Sequence, residues 1–80
     1  MPDTDRRLTA LSAAMGVARS DLMGLLHQTS DELANLPHRL FRTSVHDDLN
    51  STVSVLLSTC EHLDRAISNI NRLKEPDHGK

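Results

Sequence analysis

The chain has a single phenylalanine and no tryptophan or tryptophan-sized substitute for it; Tyr and Trp are both absent from its 80 residues. Aromatic side chains contribute the largest buried areas, so a self-sufficient monomeric core is hard to assemble without them. At this length one core supplies roughly 3–5 kcal/mol at most. A lone cysteine, Cys60, excludes an internal disulfide framework and fits a reducing compartment. No apolar run approaches the ~20 residues of a membrane span. Met1, Pro2 and Asp3 do not open a charged segment followed by an apolar one, as a secretory leader would. The expectation is a soluble intracellular chain, cytoplasmic in setting, with no membrane insertion. Charge of one sign is lacking too. Nine basic residues against eleven acidic ones give a net charge of −2 with the histidines neutral. Without a basic stripe or interleaved aromatics, neither nucleic acid nor an anionic lipid surface is an expected ligand.

The chemistry of a catalytic or metal site is missing as well. The five histidines are His27, His38, His46, His62 and His78. None forms an HExxH-like arrangement with a second His, Cys or carboxylate. Cys60 and His62, two apart, point to different faces of a helix. A phosphotransfer histidine would be expected to carry a lysine and a glycine close behind it, and neither LLHQTSDE nor CEHLDRAI has them. No Ser–His–Asp order, facing pair of carboxylates, glycine-rich phosphate loop or nucleotide fingerprint occurs. The reading is therefore of a non-enzyme, with no catalytic residues, metal, cofactor or small-molecule substrate.

What the sequence does have is helical periodicity. Leu49, Val53, Leu56, Cys60, Leu63, Ile67 and Ile70 follow one another at alternating spacings of four and three. That is the seam of an α-helix packed on another helix. With Leu49 at heptad position d and Val53 at a, Ser51, Ser58, Arg65 and Arg72 fall at f and form a solvent face. The apolar surface spills beyond the seam, to Leu57 at e, Val55 at c and Leu73 at g, a width that suits three or more helices. Ser44 with Asp47 has the spacing of a capping box, and Asp47 and Asp48 suit the positive end of a helix dipole. Glu61 and Arg65 are spaced for a favourable pair one turn apart. Pro76 ends the segment, and a frayed tail is expected over 76–80.

The N-terminal half reads as a second, weaker helix. Leu8, Leu11, Met15, Ala18, Leu22 and Leu25 form one apolar series, and Leu22, Leu26, Thr29, Leu33, Leu36 and Leu40 continue it better. The slip between the two predicts a stutter that locally unwinds the supercoil. Gly16 and Gly24 each cost on the order of 1 kcal/mol against alanine in a helix interior. Asp3 or Thr4 is placed to cap the start. Thr29 with Glu32 matches a capping box, which leaves open a break near Gln28 or one continuous helix. Pro37 disfavours helical geometry at Leu36 and sets a boundary there.

These readings give an all-α chain of one domain over residues 1–80. Helix 1 runs over about 5–36, a connector over about 37–43 and helix 2 over about 44–75, packed as an antiparallel hairpin. The hairpin is expected to be completed into a helix bundle by oligomerisation or by partner chains. The residues assigned to partner binding are Leu22, Leu26, Leu49, Val53, Leu56, Leu57, Cys60, Leu63, Ile67, Ile70 and Leu73. Met23, Val17 and Val55 join Leu26, Leu57 and Leu73 as apolar residues that a hairpin alone leaves over. The expected function is that of a non-catalytic interaction or scaffold subunit whose partners are other helical chains. The alternatives are a small chaperone or adaptor of the secretion co-chaperone type, holding a client's amphipathic helix, and a homo-oligomeric regulator.

Overall fold

Pro2 fits the first turn of a helix, where its missing amide hydrogen has no intrahelical partner to lose. In a computed structural model, which describes residues 2–74, helix α1 runs without interruption over Pro2–Ala34. Asp3 and Asp5 lie in its first turn, the favourable sign for the dipole. Asp3 and Thr4 are thus inside the helix and not at its cap. No break occurs near Gln28, and Thr29 and Glu32 lie within the one continuous helix.

Asn35 ends α1 with a doubled hydrogen bond. Its backbone N–H and its side-chain Nδ2 both donate to the carbonyl of Asp31, at 3.1 and 2.9 Å. Pro37, at φ −56° and ψ 143°, then turns the chain into a 3₁₀ turn over His38–Leu40. Helix α2 follows over Ser44–Lys74. The expected Ser44–Asp47 capping box does not form. Asp47 N–H donates to the Thr43 carbonyl at 3.2 Å, so Thr43 is the capping residue. Its hydroxyl turns back to the Leu40 carbonyl at 2.7 Å and fastens the connector instead. Nor do Glu61 and Arg65 pair; both are exposed, where such a pair yields only about 0.2–0.5 kcal/mol against full solvation. The tail over 76–80 lies outside the described residues.

The fold is an all-α hairpin. α1 and α2 pack antiparallel, and no strand occurs among the described residues. The molecule measures 61 × 23 × 16 Å: two helices wide and one helix thick. Its radius of gyration, 18.0 Å, exceeds the ~12 Å of a compact domain of this length.

The seam of α1 differs from the expected one. Its inward positions are Leu8, Ser12, Met15, Arg19, Leu22, Leu26, Thr29, Leu33 and Leu36. The spacing alternates between four and three throughout, so there is no stutter. Leu11, Ala18 and Leu25 are exposed, one position short of the seam, and Leu40 belongs to the 3₁₀ turn. An apolar series led the expected register astray because Ser12 and Arg19 hold seam positions while Leu11 and Ala18 sit beside them.

Candidate functional site

The α2 seam meets that of α1 along the hairpin. Helices that rise equally per residue keep a fixed register, and the Arg19–Asp64 pair marks it to within one residue. Leu26 then lies level with Leu56, Leu22 with Cys60, Met15 with Ile67 and Ser12 with Ile70. Burial peaks where both partners are apolar. Leu26 and Leu56 are each 8% exposed and Cys60 2%, and these three are the apolar core among the described residues. Thr29 is the one buried polar residue beside them. Away from the connector, α1 offers Ser12, Gly16 and Arg19, and Leu63, Ile67 and Ile70 opposite them are only half-buried.

Arg19 occupies a seam position by laying its aliphatic stem along the groove and carrying its charge to the edge. Its Nε lies 2.5 Å from Asp64 Oδ1, although the N–H is not aligned into a hydrogen bond. Both side chains are more than a third exposed. Screening holds such a pair to roughly 0–1 kcal/mol, enough to favour one register but not to hold the hairpin together.

Of the eleven residues assigned to partner binding, nine face into the hairpin. Leu22, Leu26, Leu49, Val53, Leu56, Cys60, Leu63, Ile67 and Ile70 are buried or half-buried against the other helix. Leu57 and Leu73 are exposed, at 48% and 73%. Leu26 is therefore not left over, and Met23 is half-covered, whereas Val17 and Val55 stay exposed. The apolar surface that the hairpin leaves open comprises Leu11, Val17, Leu25, Phe41, Val45, Val55, Leu57 and Leu73. Leu11 and Leu25 escaped the sequence reading because they were counted into the seam. A test of phase over the whole helix would have placed them at g, since one heptad register then runs from Leu8 to Leu36.

At the connector, Phe41 lies between two imidazoles, with ring centroids 4.8 Å from His38 and 5.6 Å from His46. His46 Nδ1 is 3.7 Å from Asp47 Oδ1, beyond hydrogen-bond range. Among the described residues no three His, Cys, Asp or Glu side chains converge on a metal-sized site. Two concavities among the described residues are shallow. One is lined by Thr4, Arg7, Leu8 and Leu11, another by Asp48, Ser51, Thr52, Val55 and Leu56. No helix among the described residues is long and apolar enough to cross a membrane. What this surface offers chemically is apolar area on a helical frame. No family model matches the chain, and no curated protein or solved structure matches it either.

Proposed function

We propose that the chain is a non-catalytic interaction subunit, a helical hairpin that contributes two helices to a bundle completed by other protein helices. The observation that carries this reading is the mismatch in burial. Three apolar side chains are buried among the described residues, while eight large ones stay open to water. A hairpin covers one stripe on each helix, and the remaining apolar surface gains about 25 cal/mol per Å² when another helix covers it. Partner helices are the natural occupants because a helical frame presents ridges and grooves that other helices fill. A reducing, cytoplasmic setting agrees with a single buried thiol.

The test is the dependence of folding on association. Thermal unfolding of the purified chain, followed by circular dichroism from about 1 to 100 μM, should show a midpoint that rises with concentration or on addition of a co-purifying helical chain. Species that bind only the folded state raise its stability by mass action. A sharp midpoint that stays constant across that range, with no companion chain recovered from the source cell, overturns the reading.

A further inference from the structure

We infer that the missing layer is a second copy of this chain, stacked on one particular side of the hairpin; the inference rests on the proposed role as an interaction subunit. In an antiparallel pair the g columns of the two helices share one side and the e columns the other. The g side carries Leu11, Ala18 and Leu25 from α1. From α2 it carries Val55, at the neighbouring c position, with Ala66 and Leu73. All six are exposed except the half-buried Ala66. The two concavities described above open on this side as well, since most of their residues fall at g and c beside the seam. The e side instead holds the Arg19–Asp64 pair, with Glu61 and Asp47 beyond it, and Leu57 alone of the eight exposed large apolar residues.

Area and charge together identify the occupant. The chain exposes 6099 Å² at a mass of 8.9 kDa, where a folded monomer of that mass exposes about 4,800 Å². That excess is of the order of the roughly 800 Å² per partner that a stable interface covers. A second plate one helix thick is therefore enough to remove it, and the product is a four-helix bundle. On the g side, α2 carries no Asp, Glu, Lys or Arg at g or c from Thr52 to Leu73, and α1 carries only Asp21 between Leu11 and Gln28. The register set by Arg19 and Asp64 puts Asp21 level with His62. If α1 of each copy lies along α2 of the other, with both connectors at the same end, each Asp21 carboxylate meets an imidazole of the second copy. An imidazole can donate to that carboxylate. Stacking α1 on α1 in the opposite sense, with the rods fully overlapped, sets Asp21 beside its own symmetry mate near the middle of the bundle. The charge pattern thus selects the arrangement with the connectors together.

The test uses the full chain. Light scattering on the eluted protein should give twice 8.9 kDa. Ala18→Glu and Val55→Glu, at positions open to water in the hairpin, should each weaken the dimer by roughly tenfold or more while helicity is retained. Ala13→Glu, on the other side, should leave it intact. A nitroxide on Arg39→Cys, with Cys60→Ala, should report an inter-copy distance well under half the 61 Å length of the rod. A dimer whose labels lie near opposite ends overturns the stacking sense. A dimer that survives Ala18→Glu and Val55→Glu overturns the face. A monomer that folds weakly until another helical chain is added overturns self-association and leaves the interaction role standing. A monomer with a sharp, concentration-independent transition ends both.

Discussion

Gly16 and Gly24 lie in the interior of α1 with negative φ, and a Cβ built on either would meet nothing within 4 Å. Nothing in the hairpin therefore requires glycine at either position. Each substitution Gly16→Ala and Gly24→Ala should stabilise the folded chain by about 0.5–1 kcal/mol, through lower chain entropy in the unfolded state. Urea titration checks this as a shift in midpoint at constant slope. A stabilising Gly24→Ala beside a destabilising Gly16→Ala would show that a neighbour outside the hairpin closes on Gly16. At this scale the sequence was read wrongly for position. The glycine penalty follows from residue type alone. That Ser12 and Arg19 hold seam positions does not, because a polar residue at the seam is tolerated only where its head reaches water or a partner, as Arg19 reaches Asp64.

The two helices differ in how openly they state their register. In α2 every seam position from Leu49 to Ile70 is apolar and the f column is polar, so composition and phase agree. In α1 apolar residues also occupy the g column, through Leu11, Ala18 and Leu25, and two stripes compete for the inward role. The stripe that faces α2 is the more polar of the two. Only the packed partner decides this, which is why α1 was read with a slip it does not have. The end of α1 was easier than the starts of the helices, since Pro37 acts through its own ring and needs no tertiary context. The buried centre should accordingly be more sensitive than its flanks. Leu56→Asp places a carboxylate level with Leu26, where both neighbours are apolar. Its expected cost of about 3 kcal/mol approaches all that a core of this size supplies. Ser58→Glu, on the exposed f column, should be silent. Far-UV circular dichroism against temperature distinguishes them: loss of the cooperative transition for the first, an unchanged midpoint for the second. A cooperative Leu56→Asp would remove the seam as the source of stability.

At the scale of the molecule, shape decides which assemblies are consistent with the proposed layer. A plate 61 Å long and 16 Å thick has a radius of gyration, 18.0 Å, governed by its length. A second plate stacked face to face lies about 10 Å away, the usual separation of packed helices. Each copy then sits about 5 Å from the common centre, and that displacement adds in quadrature to the long dimension already present. The radius should rise only to about 19 Å, while the forward scattering per chain doubles. Copies joined end to end would instead have centres roughly one rod length apart, and the radius would exceed about 30 Å. Small-angle X-ray scattering across a concentration series therefore separates the geometries by two independent numbers. Doubled mass at nearly constant radius agrees with helix faces covering one another. Doubled mass with a radius above 30 Å would place the contact at the rod ends and leave Leu11, Leu25 and Val55 in water, removing the physical reason for a second layer.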